Sequence, residues 1–160
     1  MKRQSSHAPL LRANARSASL ALVVAVAITG SMVAVRAEAG SPDRLSATFT
    51  LCGESRRVNC VVDGDTFWFE RQKIRIADID APELSPPRCA FERDKGEAAK
   101  HRLLALLNAG PFSLAKNGRD EDRYGRKLRD VLRDGRSIGQ QLVGEGLART
   151  WDGSRRPWCQ

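Results

Sequence analysis

Short segments in which apolar and polar residues alternate, each closed by turn residues, constrain the fold most. In one of them Ile74 and Ile76 alternate with Lys73 and Arg75, which predicts a β-strand with one face in a core and the other carrying cations. Segments read as strands cover residues 47–51, 60–62, 66–70, 73–79, 111–116 and 127–133. About five short strands of this kind can form a sheet that curls into a small barrel.

Two segments have helical composition instead. The longer one runs from Cys89 to Asn108, is rich in Ala, Leu, Glu, Lys and Arg, and has Gly110 past its end. Its apolar stripe consists of Ala99, Leu103, Leu106 and Leu107. A shorter helix is predicted over residues 138–143, and prolines exclude regular structure between residues 81 and 88. The order strands, helix, strands, helix predicts an α+β domain.

Residues 17–35 are the only uncharged stretch long enough to span a membrane, so a multi-span membrane protein is excluded. Basic residues precede this stretch and small residues follow it, which is the layout of a secretory signal. We expect residues 1–39 to be a signal peptide cleaved after Ala39, residues 40–160 to be the mature domain, and the protein to be secreted or periplasmic. The alternative is an uncleaved membrane anchor.

The charge balance is less informative than it first looks. The formal net charge is +8, but residues 40–160 carry 22 basic and 18 acidic residues, a net charge of +4. This charge is compatible with a polyanionic partner, and it also serves solubility in many exported proteins. Charge alone therefore does not identify a nucleic-acid partner.

Four cysteines remain in the predicted mature domain: Cys52, Cys60, Cys89 and Cys159. In an exported protein an even count predicts two disulfides, and counting does not separate the three pairings. Cys52 and Cys60 flank a short polar turn and could cross-link a local hairpin, in which case Cys89 pairs with Cys159. A zinc site is disfavoured, because closely spaced cysteine pairs are absent from the sequence.

Two acidic clusters lie where strands are predicted to end. The first is Asp63–Thr66, with the sequence DGDT, and the second is Asp78–Glu83, with the sequence DIDAPE. The hairpin between the clusters would bring them together, and such oxygen ligands suit a hard cation such as calcium. The alternative is that each cluster is turn chemistry or a solvated face.

Two arginines have the chemistry to bind a phosphate. Arg75 lies on the cation-bearing face of the predicted strand, and Arg126 follows the turn-like sequence DRYG. A guanidinium offers a planar fork of donors that matches phosphate oxygens, whereas a single surface arginine is usually only a solvated charge.

The strings VVDGDTFWF, KIRIADIDAPE, DRYGRKLRDV and LVGEGLAR resemble the core of the staphylococcal nuclease (thermonuclease) family. The resemblance covers roughly residues 58–150 and keeps the order and spacing of the motifs. It implies a five-stranded OB-fold barrel with packed helices, and a calcium-dependent phosphodiesterase acting on DNA and RNA.

The resemblance also implies a metal site. Asp65 and Asp80 would bind calcium through their carboxylates, and Ala81 would contribute its backbone carbonyl. Asp63 would tune the metal without touching it.

The remaining implied roles concern the substrate. Glu83 would act as general base or orient the attacking water, and Arg75 and Arg126 would stabilise the five-coordinate transition state. Arg123 and Tyr124 match positions that contact the nucleotide. The substrates would be DNA and RNA, no stable protein partner is implied, and a monomer is expected.

Three departures from the family pattern stand out. Ala81 replaces a threonine, which keeps the backbone carbonyl. The neighbourhood of Trp151 and Asp152 replaces a nucleotide-stacking tyrosine. The chain ends at Gln160, which leads us to expect two packed helices without the family's usual C-terminal third helix.

A binding module on the same OB-fold, without hydrolysis, is the competing interpretation. Such a module is expected to have lost at least one of four residues that this chain retains: Arg75, Asp80, Glu83 and Arg126.

Overall fold

The computed structural model describes residues 43–54 and 56–159, so the predicted signal segment, residues 1–39, lies outside the described residues. Its elements in chain order are β1 (Thr50–Leu51), β2 (Cys60–Asp63), β3 (Thr66–Phe69), β4 (Gln72–Ile76), β5 (Ile79–Asp80), α1 (Ala90–Asn108), β6 (Ser113–Ala115), β7 (Lys127–Arg133), β8 (Arg136–Ser137), α2 (Ile138–Gly144) and β9 (Arg149–Thr150).

The α+β prediction and both helices are confirmed. The segment predicted as one strand over residues 73–79 is wrong in its continuity, because a turn at residues 77–78 separates β4 from β5. The first predicted strand shortens to Thr50–Leu51. The larger sheet has the order β1-β2-β3-β4-β7-β6 with β8 beside β7, and β5 pairs with β9. This mixed arrangement is OB-like, and the closed five-stranded barrel stays a prediction.

The sheet register places the residues of the candidate site next to one another. Strands β3 and β4 are antiparallel and pair Thr66 with Arg75. Strands β4 and β7 are parallel and pair Arg75 with Leu128. The short β5 is antiparallel to β9 and pairs Asp80 with Arg149. Segments far apart in sequence therefore meet around Arg75.

A glycine permits the close packing of α1 against the turn between β2 and β3. A Cβ atom built on Gly64 would lie 2.6 Å from the Cβ of Ala99 and 2.9 Å from the Cβ of Ala81. Only a residue without a side chain fits there, so the turn that carries the first acidic cluster is fixed by the helix behind it.

The core lies between the sheet and the helices. The predicted stripe of α1 is buried, as are four phenylalanines whose ring centroids lie 5.5–6.1 Å apart: Phe49, Phe67, Phe69 and Phe112. In the part of the chain that the structure describes, no helix is both long and apolar enough to cross a membrane.

Both disulfides have the predicted pairing, Cys52 with Cys60 and Cys89 with Cys159. The local hairpin expected around the first one is wrong, because β1 and β2 are parallel. The second one ties the N-cap residue of α1 to residues 151–159, which we call the C-terminal tail. Because Cys89 lies shortly after the acidic segment that ends at Glu83, this bond holds the tail near the second acidic cluster.

Candidate active site

Two buried carboxylates share one guanidinium at the centre of the site. Asp65 lies in the tight turn between β2 and β3, and Asp80 ends β5. The Arg75 Nη2 atom lies 3.2 Å from Asp65 Oδ2 and 3.7 Å from Asp80 Oδ1, and all three side chains are at most 6% exposed. A buried charge is tolerated when it is paired. Arg75 can therefore be buried although it lies on the cation-bearing face of β4, since the two carboxylates compensate its charge.

The donor set around Asp65 and Asp80 fits a hard cation. The Asp80 Oδ1 atom is buried and has no hydrogen-bond partner among the described residues. Burial first, and then the Asp65 charge, raise the pKa of Asp80, although Arg155 and Arg75 oppose the rise. A bound divalent cation would compensate both the cost of burying the Asp80 charge and its repulsion by Asp65. The Ala81 N–H lies 3.5 Å from Asp65 Oδ2, so Ala81 is adjacent to the pair.

The ligand set is small. Within residues 43–54 and 56–159 no group of three or more His, Cys, Asp or Glu side chains is arranged to hold a metal ion. A cation at Asp65 and Asp80 would therefore take its other ligands from backbone carbonyls and water, which calcium accepts.

Asp63 supports Asp65 from behind. The Asp65 backbone N–H donates to Asp63 Oδ1 at 3.2 Å. Burial, followed by the charge of Asp65, raises the pKa of Asp63 to about 7. This placement suits a residue that acts on the Asp65 carboxylate, as the prediction for Asp63 requires.

Asp78, the first residue of the second acidic cluster, points elsewhere. Its Oδ2 atom accepts hydrogen bonds from Ser137 Oγ at 2.7 Å and from Gln140 Nε2 at 3.1 Å. Ser137 is also the N-cap of α2, so Asp78 fixes the start of this helix. Of the two aspartates in DIDAPE, only Asp80 joins the buried carboxylate pair.

Arg126 reaches the carboxylate pair through a hydroxyl. Its Nη1 atom donates to Thr66 Oγ1 at 3.3 Å, and that hydroxyl donates to Asp65 Oδ1 at 2.8 Å. Its Nε atom is 2.6 Å from Asp122 Oδ2. Burial alone would raise the pKa of Asp122, but hydrogen bonds from Arg126 and Tyr124 hold it below its usual value. Asp122 thus aims the Arg126 fork at the site.

The sequence prediction missed the role of Asp122, although a local signal was present. Its Oδ1 atom accepts the backbone N–H of Tyr124 at 2.9 Å and that of Arg126 at 3.0 Å. An aspartate that opens a turn and accepts backbone donors two or more residues later is a common pattern, and the sequence DRYG contains it.

The substrate-facing residues meet in one open cleft with a volume of about 790 Å³. Its lining includes the predicted residues Arg75, Glu83, Arg123, Tyr124 and Arg126. Further cations in the lining are Lys73, Arg119 and Arg155, against the acids Glu83 and Asp122. A concave surface dominated by cations attracts polyanions.

Two residues of the C-terminal tail complete the cleft. The Trp151 ring centroid lies 5.0 Å from Arg75 Cζ. Trp151 belongs to the segment that, from the sequence, replaces the family's nucleotide-stacking tyrosine. Arg155 forms ion pairs with Glu83 and with Asp80. The sequence prediction missed Arg155, because it lies in a tail without a recognisable motif.

A family model described as "Staphylococcal nuclease homologue" matches residues 73–157, more than half of the chain. The chain therefore belongs to this family, and the resemblance inferred from the sequence is confirmed.

Curated relatives carry nuclease names. Endonuclease YncB of Bacillus subtilis is 36% identical over 93 residues, which are 55% of this chain and 44% of that protein. The SPbeta prophage-derived endonuclease YokF of the same organism is 38% identical over 93 residues, 55% of this chain and 31% of that protein. The probable staphylococcal-like nuclease CAN1 of Oryza sativa is 34% identical over 85 residues, 53% of this chain and 23% of that protein. The alignment thus spans less than half of each of these relatives.

Proposed function

We propose that the chain is an exported nuclease that hydrolyses phosphodiester bonds of DNA and RNA with a bound calcium ion. One observation carries the proposal: two carboxylates buried around Arg75 adjoin a cationic cleft lined by Glu83 and Arg126. These residues come from four separate parts of the chain, so their convergence is a property of the fold.

In this proposal a calcium ion, when bound, would supply Lewis-acid polarisation of the phosphate and would offset the negative charge that develops on it. Asp65 and Asp80 would hold the ion through carboxylate oxygens, and Ala81 would contribute its backbone carbonyl. The turn around Gly64 and the β5–β9 pairing keep the two carboxylates in place.

Glu83 accepts the proton of the attacking water or orients that water. Its side chain is 36% exposed, so a water molecule from solvent can reach it. Arg75 and Arg126 donate hydrogen bonds to the phosphate oxygens, and these bonds strengthen as charge accumulates in the five-coordinate transition state. The contact of Arg126 with Asp122 orients its guanidinium before the substrate arrives.

Arg123 and Tyr124 extend the cleft along the substrate. Tyr124 is 67% exposed, and its ring centroid lies 4.7 Å from Arg123 Cζ and 5.6 Å from Arg126 Cζ. An exposed aromatic ring flanked by guanidiniums stacks on a base while the cations follow the backbone. Such contacts do not select a sugar, which supports action on both DNA and RNA.

The two disulfides support the proposed location. Disulfides persist in oxidising compartments such as the periplasm or the exterior of the cell. Fractionation of cells that express the full chain is expected to recover it from the periplasm or the medium as a monomer with residues 1–39 removed. Recovery with the membrane would support a retained anchor instead.

The test of the activity is a digestion controlled by a chelator. The purified protein is incubated with single-stranded DNA or with RNA, in calcium or in excess EGTA. We expect both polymers to be cut in calcium and to survive in EGTA. Cleavage that continues in EGTA would contradict the metal assignment, and binding without cleavage in calcium would support the binding-module interpretation.

A further inference from the structure

The C-terminal tail, residues 151–159, contacts the candidate active site at three points. The Trp151 ring covers Arg75. Arg155 forms one ion pair with Glu83 Oε1 and a second, at 3.7 Å, with Asp80 Oδ1. Each contact is made to a residue with a role in the proposed reaction.

Several interactions fix the tail in this position. Cys159 is bonded to Cys89, and Trp158 is only 8% exposed. The Arg149 guanidinium lies 3.8 Å from the centroid of the Trp158 ring and donates to the Pro157 carbonyl oxygen at 3.1 Å. Arg149 itself belongs to β9, which pairs with β5. The tail is therefore tied to the strand that carries Asp80 and to the helix that follows Glu83.

We propose that Arg155 is a positioning residue of the active site, and that the Cys89–Cys159 disulfide keeps it in place. The inference rests on the proposed function. Arg155 is the only ion-pair partner of Glu83 within the described residues. A partly exposed glutamate has several staggered rotamers open to it, whereas a residue that orients water must hold one geometry. Arg155 supplies that restraint.

The contact of Arg155 with Asp80 determines where the Glu83 carboxylate is held. The same guanidinium contacts both Asp80 and Glu83, so it fixes the Glu83 carboxylate relative to the proposed calcium ligand. The distance between the attacking water and the phosphate depends on that relation. Misplacement by about 1 Å can cost about 100-fold in rate.

The first test compares three variants in calcium: Arg155→Ala, Arg155→Lys and the matched control Arg156→Ala. Arg156 is the next residue, but its side chain is 61% exposed and pairs with Asp152. We expect Arg155→Ala to lower kcat by about 10- to 100-fold with KM changed by less than about threefold. Arg155→Lys should recover part of kcat, and Arg156→Ala should behave as the parent.

The second test addresses the disulfide. The double variant Cys89→Ser/Cys159→Ser is compared with Cys52→Ser/Cys60→Ser, whose cysteines do not line the cleft. Serine is a good N-cap residue, so the start of α1 is retained at position 89. We expect only the first pair to lower kcat. In an Arg155→Ala background the first pair should cause no further loss, because both changes remove the same restraint.

Several results would overturn the inference. An Arg155→Ala variant with the parental kcat would overturn it. A change in KM alone would indicate that Arg155 contacts the phosphate, and a rise in kcat would indicate that Arg155 inhibits the enzyme; either result would also overturn it. Additive losses, with circular dichroism showing an intact fold, would overturn the role of the disulfide. If the parent itself is inactive, both the proposed function and the inference are wrong. If the parent is active and Arg155→Ala is equally active, only the inference is wrong.

Discussion

Replacing Arg75 by methionine tests whether its charge holds the two carboxylates in the folded protein. The Arg75 side chain is 6% exposed and pairs with Asp65 and Asp80, which are 5% and 6% exposed. It also donates hydrogen bonds to the carbonyl oxygens of Ile76 and Ile79. Removing one member of a buried charge network leaves the others uncompensated, which typically costs about 3–5 kcal/mol.

Calcium should reverse part of that loss. A divalent cation at Asp65 and Asp80 compensates the same carboxylates that Arg75 compensates, so the variant gains more from the cation than the parent does. A tenfold gain in calcium affinity would return about 1.4 kcal/mol of unfolding free energy. The loss measured in saturating calcium should therefore be smaller than the loss in EGTA by about this amount.

The assay is urea unfolding at pH 7.5 of the parent and of Arg75→Met, each in EGTA and in calcium. Arg102→Met is the matched control, because its bidentate pair with Glu145 at 2.7–2.8 Å is solvent-exposed. Such a pair contributes less than about 1 kcal/mol. The reasoning is refuted if Arg75→Met unfolds with the parental free energy in EGTA, or if calcium leaves the difference unchanged.

Three further predictions follow from contacts elsewhere in the structure. Cys89 and Cys159 are 70 residues apart, and Cys52 and Cys60 are 8 residues apart. From loop-closure entropy, loss of the first disulfide should lower the free energy of unfolding by about 4.4 kcal/mol and loss of the second by about 2.5 kcal/mol. Urea unfolding that gives the reverse order would contradict this prediction. Arg126→Lys keeps the charge but cannot reach Asp122 and Thr66 together, so kcat should fall about 100- to 1,000-fold. The control Arg129→Lys, three residues further along in β7, should retain activity. Hydrogen bonds from Lys127, and then from Arg129, lower the pKa of Asp120 to about 2, so its contribution to stability is complete above the ordinary value of 3.8 and is lost as the pH falls towards 2. Asp120→Asn should therefore flatten the fall in unfolding free energy at acid pH. An unchanged acid limb would argue against the pairing of Asp120 with Lys127 and Arg129.

Features set by local sequence could be predicted well. The buried stripe of α1 follows from a 3.6-residue period, and the end of β7 follows from the turn residues Asp134 and Gly135. Both disulfides were predicted by pairing Cys52 with its near neighbour. In each case the information lies within a short segment or in a count of four cysteines.

Contacts between distant segments could be predicted only in part, from the hairpin between the acidic clusters and from the family resemblance. The alternation around Arg75 gives its face of the strand, but its burial depends on Asp65 from the turn between β2 and β3 and on Asp80 from β5. Asp80 is separated from β4 by a turn because β5 pairs with β9, more than sixty positions further along the chain. Arg155 meets Glu83 across 72 positions of sequence, and a tail without a periodic pattern gives no sign of such a contact.

The rate at which Glu83→Gln cuts a labelled oligonucleotide in calcium tests the proposed reaction most directly. The substitution keeps the size of the side chain and removes its ability to accept a proton, so we predict a single-turnover rate about 100- to 10,000-fold below that of the parent. Glu97→Gln, an exposed substitution on α1, should cut at the parental rate. A Glu83→Gln protein that cuts as fast as the parent would contradict the assignment of the site.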